Sequence, residues 1–385
     1  MNFRSIFFII IVITLSWNGH ALTLGAERTE LYLPELKGKR VGLIVNQTSK
    51  VGEQHLVDLL LQHNIAVKKI FAPEHGFRGK QDAGALIADG KDKKTGLPII
   101  SLYGKNKKPS QQQLADVDIL VFDIQDVGLR FYTYISTMHL AMEASADANI
   151  EFMVLDRPNP NIAHVDGPVL EPQFRSFVGM HPIPVLHGMT VAELAKMIVA
   201  QKWLETEQQL KLIVIPMLEY HDQVEYRLPV PPSPNLPNQQ AIYLYPSLCF
   251  FEATPVSVGR GTEFPFQVYG HSNPKLGEFA FSPRSIIGAA SNPKLKGQIA
   301  YGQDLRKSRV TGFNLHWFIS AYRIFNQAGM EFFTAANFMD KLAGTDTVRK
   351  AMLAGANETQ LQQLWRQDVA DFLQLRQAYL LYPRQ

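Results

Sequence analysis

The chain has 385 residues, a formal net charge of +3 and a single cysteine. The near-neutral charge argues against nucleic acid as a partner, and one cysteine excludes an intramolecular disulfide or a cysteine-rich metal site. That residue, Cys249, lies in the apolar run SLCFFE, so we interpret it as a buried core thiol rather than a nucleophile.

The first 21 residues have the pattern of a secretory signal peptide. Arg4 precedes an apolar stretch over residues 5–17, and small residues stand before a plausible cleavage site at residue 21. A membrane anchor is the weaker alternative, because a spanning helix needs about 20 apolar residues and residues 18–20 interrupt this stretch. We therefore expect export to the periplasm, with no stable membrane insertion after cleavage.

Apolar strand-type runs alternate with helical patterns through the first half of the chain. Uninterrupted apolar strands between helices are typical of a parallel sheet that is covered on both faces. We therefore predict an α/β fold with a doubly wound parallel sheet. The predicted strands are 40–47, 66–73, 97–104, 118–126, 150–160 and 210–217, and the predicted helices are 52–64, 111–117, 133–149 and 190–204.

A proline-rich segment, LPVPPSPNLPNQQ (228–240), interrupts this alternation. Proline removes a backbone donor and fixes φ, so such a segment cannot form regular structure. We interpret it as a domain boundary or the wall of a cleft. The sequence thus predicts a first domain over 22–239 and a smaller α+β domain over 240–385, with helical segments at 314–329 and 360–382.

Three polar clusters follow predicted strands at their carboxyl ends. In open α/β sheets this edge is where ligands bind, so we expect a polar active site there. The clusters are Glu74, His75 and Arg78 after the second strand, Asp123, Gln125, Asp126, Arg130 and Tyr132 after the fourth, and Asp156 and Asn159 after the fifth.

The second domain contributes a further cluster in FEATPVSVGRGTEF. Glu252 leaves an apolar run, and Arg260 stands between two glycines, with Glu263 close behind. Glycine allows the backbone to approach a ligand closely, and an arginine in such a place can clamp a carboxylate through two hydrogen bonds.

Several chemistries lack their sequence motifs here. The first strand is not followed by G-x-G-x-x-G, and neither a P-loop nor a G-x-S-x-G nucleophile motif occurs, so we expect no nucleotide cofactor and no serine hydrolase. Histidines are scattered rather than spaced for zinc, and we predict no metal. Convergence of His75, Asp123 and Asp126 on a metal ion is the alternative.

Acid and base catalysis by carboxylates remains. Glu74, beside a proline and near an aromatic residue, is the candidate general acid, and its alternative role is an ion pair with Arg78. Most glycosidases use such an acid together with a second carboxylate across the scissile bond. The candidates for that second carboxylate are Asp126, Asp123, Glu252 and Glu263.

Seven blocks in this order resemble one bacterial family. They are VGLIVNQTS, FAPEHGFRG, FDIQDVGLRFYTY, VLDRPNP, GMTVAELA, PPSPNLP and YPSLCFFEATPVSVGRGTEFPF. The sequence is similar to the exo-acting β-N-acetylmuramidases of cell-wall recycling, the NamZ-like proteins. The resemblance implies a Rossmann-like domain with a smaller domain closing a cleft, and release of terminal N-acetylmuramic acid from the non-reducing end of peptidoglycan fragments.

The resemblance also places the family's catalytic glutamate at Glu74. Muramic acid carries a lactyl carboxylate, which Arg260, Arg130 or Arg78 could clamp. The expected partners are muramyl saccharides derived from peptidoglycan. A periplasmic binding protein for cell-wall sugars and an amidase or esterase on muropeptides are the alternatives. The candidate catalytic residues are Glu74, Asp126 and Glu252, and the candidate substrate-binding residues are His75, Arg78, Asp123, Gln125, Arg130, Tyr132, Asp156, Asn159, Asn235, Arg260 and Glu263.

Overall fold

The structure of the protein is a computed structural model that describes residues 22–77, 90–104 and 106–384. The predicted signal peptide and Arg78 lie outside the described residues. The strands are β1 (Arg40–Val45), β2 (Lys50–Val51), β3 (Gln54–His55), β4 (Ala66–Ala72), β5 (Gly90–Lys91), β6 (Pro98–Ser101), β7 (Ile119–Asp123), β8 (Glu151–Leu155), β9 (Leu212–Ile215), β10 (Val268–His271), β11 (Phe279–Phe281) and β12 (Ala300–Asp304).

Helices alternate with the strands of the first half and dominate the last quarter of the chain. They are α1 (Thr29–Leu36), α2 (Leu56–Gln62), α3 (Gln111–Leu114), α4 (Tyr134–Asp147), α5 (Val191–Ala200), α6 (Gln239–Leu248), α7 (His316–Gln327), α8 (Ala336–Ala343), α9 (Thr347–Leu353), α10 (Glu358–Gln363) and α11 (Arg366–Arg376).

The main sheet has the strand order β5-β6-β4-β1-β7-β8-β9. All neighbouring pairs in it are parallel except β5 and β6. The parallel strands of the described chain, numbered one to six, follow the order 3-2-1-4-5-6, which is the Rossmann order. Each predicted strand of the first half pairs in this sheet, and the antiparallel edge strand β5 was not predicted. The predicted fold class is confirmed.

Side chains alternate between two cores on either face of this sheet. In β1, Leu43 and Val45 pack with α1 and α2 on one face, whereas Ile44 packs with Phe122 of β7 and with α4 and α5 on the other. Alternate side chains of a strand point to opposite faces, and both faces here are apolar. Helices therefore cover both faces, as the uninterrupted apolar strands predict.

Short polar contacts fill the switch point between β1 and β7. Thr48 donates its hydroxyl to Asn46 Oδ1 at 2.6 Å and accepts the backbone N–H of Gln125 at 3.0 Å. The hydroxyl of Ser49 donates to the carbonyl of Asp123. The loop after β1 is thereby joined to the end of β7.

The second part of the chain contains the antiparallel sheet β10-β12-β11 and helices α6–α11. Its buried side chains, among them Phe250, Phe318 and Met339, belong to the same core as those of α4 and α5. The smaller α+β part is as expected, and the shared core fixes it against the main sheet. The boundary at residues 239 and 240 stays a prediction.

The end of the chain packs on the first part. Tyr382 donates its hydroxyl to Asp156 Oδ2 at 2.5 Å, and Arg384 Nη2 lies 2.6 Å from Glu193 Oε2. Glu193 also completes the predicted capping box of α5 with Thr190. The C-terminal residues are therefore part of the support of α5. In the described part of the chain, no helix is long and apolar enough to span a membrane.

Candidate active site

A cavity of about 650 Å³ lies between the carboxyl edge of the main sheet and the second part of the chain. Pockets for small ligands in proteins have volumes of about 300–1,000 Å³, so a sugar fits this size class. Glu74 and Thr133 line it from the sheet edge, and Glu252, Arg260 and Lys294 line it from the other side.

Glu74 stands in the turn that follows β4, where Pro73 ends the strand. Thr133, the residue before α4, donates its hydroxyl to Glu74 Oε2 at 2.9 Å. The Tyr103 hydroxyl also hydrogen-bonds the Glu74 side chain, and burial, followed by the charge of Glu74, raises the pKa of Tyr103. Two hydroxyl groups, one from the segment after β6 and one from the start of α4, therefore orient the half-buried carboxyl group at the cavity.

His75 fixes the same turn to the proline-rich segment. Its φ of 69° is in the left-handed region, which non-glycine residues rarely adopt. His75 Nε2 lies 3.1 Å from Ser233 Oγ, and the side chain of Asn235 donates to the carbonyl of Ala289 at 2.8 Å. His75, Ser233, Asn235 and Ala289 all line the cavity. The proline-rich segment is therefore a wall of the cleft.

Glu252 and Arg260 form an ion pair on the side of the cavity that the second part of the chain provides. Arg260 Nε lies 3.2 and 3.1 Å from the two carboxylate oxygens of Glu252, and Nη2 lies 3.1 Å from Oε2. The guanidinium also stacks on Phe266, 4.9 Å from the ring centroid. Gly261 has φ of 81°, and a Cβ there would be 2.4 Å from the carbonyl of Arg284, so the turn requires glycine.

Tyr132 is a further predicted residue that lines the cavity, and its hydroxyl donates to the carbonyl of Pro232 at 2.9 Å.

Several other predicted residues are buried and hydrogen-bonded within the sheet edge. Asp123 accepts hydrogen bonds from Arg157 at 2.5 and 3.0 Å. These contacts stabilise the loops below the cavity. Gln125 donates to the carbonyls of Asp126 and Pro158 at 2.8 and 2.6 Å, and Asn159 donates to the carbonyl of Met189 at 2.9 Å.

Arg130, predicted to bind substrate, is fully buried and turned into the core. Its Nη1 donates to the carbonyls of Pro168 and Ile183 at 2.6 and 2.7 Å, and its Nη2 donates to those of Leu342 and Ala343 at 3.0 and 2.7 Å. Burial lowers its pKa to about 9. Because Leu342 lines the cavity, Arg130 supports the wall at the end of α8 and does not face the ligand space.

The remaining predicted carboxylates are not among the described residues that line the cavity. They are Asp123, Asp126, Asp156 and Glu263. Burial raises the pKa of both Asp126 and Asp156 to about 7. Asp126 Oδ2 accepts the N–H of Gly128 at 2.6 Å, whereas Asp156 Oδ2 accepts the hydroxyls of Thr190 and Tyr382. Glu263 is exposed, 3.6 Å from an arginine side chain. Of the candidate carboxylates, Glu74 and Glu252 are the ones at the cavity.

The sequence did not single out many of the side chains that line the cavity. One of them, Thr133, stands beside the candidate Tyr132 within FYTY, and a hydroxyl just before a helix is the signal that could have found it. Others lie in loops or in α8, without a motif. Among them are Tyr103, Phe177, Lys294 and Phe338.

Convergence of His75, Asp123 and Asp126 on a metal ion was the alternative to a metal-free site. Within residues 22–77, 90–104 and 106–384, His, Cys, Asp and Glu side chains form no group of three that could hold such an ion.

Comparison with known families decides between the sequence-based interpretations. Residues 41–240 match the family model described as exo-β-N-acetylmuramidase NamZ, N-terminal, and residues 243–382 match the corresponding C-terminal model. The chain belongs to the NamZ family. The resemblance seen in the sequence is confirmed, and NamZ is a family of glycosidases.

A NamZ relative from Bacillus subtilis (strain 168), named peptidoglycan β-N-acetylmuramidase NamZ, is 38% identical over 375 residues, which cover 91% of this chain and 89% of the relative. Two similar crystal structures are of DUF1343 family proteins from Bacteroides fragilis NCTC 9343. One has 45% identity and a TM-score of 0.86 and covers 95% of this chain and 100% of its own. The other has 28% identity and a TM-score of 0.80 and covers 94% and 99%.

Proposed function

We propose that this chain is an exported glycosidase that releases terminal N-acetylmuramic acid from the non-reducing end of peptidoglycan fragments during cell-wall turnover. Membership of the NamZ family supports this substrate class. The observation that carries the proposal is the cavity itself, lined by the Glu74 carboxyl group from the sheet edge and by the Arg260 guanidinium from the second part of the chain.

Glu74 acts as the general acid. It donates its proton to the glycosidic oxygen while the bond from that oxygen to C1 of the sugar breaks. Water then supplies a hydroxyl group to C1, and its remaining proton returns to Glu74. Thr133 and Tyr103 support this role, because their hydroxyls fix the direction of the Glu74 carboxyl group.

The two sides of the cavity differ in charge, which supports one orientation of the substrate. Glu74 lines the cavity from the sheet edge, whereas Arg260 and Lys294 line it from the second part of the chain. The lactyl carboxylate of N-acetylmuramic acid binds on the Arg260 side, since a guanidinium is a strong donor to a carboxylate. The glycosidic bond then lies toward Glu74.

Turnover of a muramyl disaccharide tests the proposal. The wild-type protein is expected to release N-acetylmuramic acid, identified by chromatography, and Glu74→Gln is expected to lower kcat by about 10²–10⁴-fold. Glu263→Gln is the matched control and should retain wild-type activity, because Glu263 is exposed and lies outside the cavity lining.

Other products would support the alternatives. Release of a peptide or of lactate would indicate an amidase or an esterase, and tight binding of the disaccharide without turnover would indicate a binding protein. If Glu74→Gln turns over the disaccharide like the wild type, Glu74 is not the acid.

Export to the periplasm needs a separate measurement. The full-length chain is expected in the fraction released by osmotic shock, and a variant that begins at residue 22 is expected to stay in the cytoplasm. Equal distribution of the two would contradict export through the first 21 residues.

A further inference from the structure

We infer that Glu252 is a positioning residue, which holds Arg260 ready for the carboxylate of the bound sugar and takes no part in proton transfer. The inference rests on the proposed function for the identity of that sugar. It removes Glu252 from the candidate catalytic carboxylates and gives it a role in substrate selection.

The contacts of Arg260 carry the first step. Nε donates to both oxygens of the Glu252 carboxylate at 3.2 and 3.1 Å, and Nη2 lies 3.1 Å from Oε2, while Phe266 packs against the face of the guanidinium. Among the described residues, Nη1 makes no hydrogen bond. A guanidinium presents parallel N–H groups along its edges, so the edge that includes Nη1 is left for a ligand oxygen.

The backbone of Glu252 is fixed as well. Lys294 donates to the carbonyls of Phe251 and Glu252, both at 2.9 Å, and to that of Thr254 at 2.5 Å. An ammonium group has three N–H donors, and these contacts use all three. Lys294 therefore fixes the turn that carries Glu252 and contributes charge to the cavity, with no donor left for the ligand.

The charges of this cluster match an acidic sugar. Two cations, Arg260 and Lys294, contact one anionic residue, Glu252, which leaves one net positive charge on this side of the cavity. A single sugar carboxylate offsets it, and a neutral sugar does not. Proton transfer by Glu252 would first require loss of its paired contacts with Arg260, and such contacts to a charged partner are the stronger class of hydrogen bonds.

Glu252→Asp tests the inference without changing the charge. The shorter side chain withdraws the carboxylate from Arg260, so binding of free N-acetylmuramic acid is expected to weaken about 10-fold, while binding of its neutral lactyl amide stays unchanged. On the disaccharide, KM is expected to rise and kcat to stay within about 3-fold. Arg260→Lys keeps the charge and loses the paired geometry, so it is expected to show the same changes as Glu252→Asp. Glu263→Asp is the control and should match the wild type.

Two results would overturn the inference. One is a fall in kcat of about 10²-fold or more for Glu252→Asp with KM unchanged, since a displacement of about 1 Å has this effect on a catalytic group. The other is equal binding of the acid and the amide by the wild-type protein, a measurement that needs no variant. Absence of disaccharide turnover by the wild type would contradict the proposed function alone, because acid and amide binding are measured on the free sugars.

Discussion

The hydroxyl of Thr133 lies 2.9 Å from Oε2 of Glu74 and donates a hydrogen bond to it. Glu74 follows β4, and Thr133 precedes α4, which follows β7 in the chain. The two residues belong to different strand ends of the same sheet edge. The direction of the Glu74 carboxyl group is therefore set by the start of a helix that is itself packed into the core.

Thr133→Val should impair catalysis without a large change in structure. Valine has the shape of threonine but cannot donate to Glu74, and a typical hydrogen bond contributes about 0.5–1.5 kcal/mol. We expect kcat to fall by about 2- to 10-fold, with KM changed little. Thr133→Ser keeps the hydroxyl and is expected to retain most activity. Equal kcat for the valine and serine variants would show that this hydrogen bond does not matter.

Arg130→Met should destabilise the fold rather than weaken ligand binding. It leaves four buried carbonyls without their donor, and a buried acceptor left without its partner costs about 1–3 kcal/mol. Urea unfolding is expected to show this loss, and Arg284→Met, at an exposed site, is expected to show almost none. At a temperature where the variant is folded, its affinity for N-acetylmuramic acid should equal that of the wild type. Unchanged stability with lost affinity would restore Arg130 as a substrate-binding residue.

Asp126 should make the protein less stable as the pH rises from about 4 to 7. Burial raises its folded-state pKa to about 7, whereas an aspartate in an unfolded chain has a pKa near 3.9. Between these values the folded protein keeps a proton that the unfolded chain has released, so the free energy of unfolding falls with rising pH. Asp126→Asn should reduce this fall by up to about 4 kcal/mol.

Asp156, which has the same raised pKa, remains in the Asp126→Asn variant. The free energy of unfolding of that variant should therefore still fall as the pH rises. Parallel stability curves for the wild type and Asp126→Asn, measured by urea unfolding at several pH values, would contradict the prediction.

The succession of strands and helices along the chain could be predicted because each element has its own local periodicity. The run at 118–126, with few polar residues, became β7, buried on both faces. Element ends were less accurate, since polar residues that follow a strand do not show where its pairing stops. The segment at 360–382 was predicted as one helical stretch, yet the structure has two α-helices there, ending at Gln363 and starting at Arg366. The edge strand β5 has only two residues, which is too short for any period.

The site could be predicted at the level of the sheet edge but not of single side chains. Glu74 and Arg130 both follow strands, and nothing in the sequence shows that one faces a cavity while the other turns toward carbonyls at the end of α8. Side-chain direction depends on packing with distant segments. Lys294 illustrates the same limit, since its acceptors are about 40 residues away in the chain.

The filled switch point between β1 and β7 bears on how this scaffold came to be used for carbohydrates. In dinucleotide enzymes of the same strand order, the crevice at this position holds the pyrophosphate against a glycine-rich turn. Here the hydroxyls of Thr48 and Ser49 occupy the connection and hydrogen-bond to Asn46 and the end of β7. A strand order associated with nucleotides can thus carry sugar chemistry when the loop after β1 is joined to β7 and a second part of the chain completes the cavity.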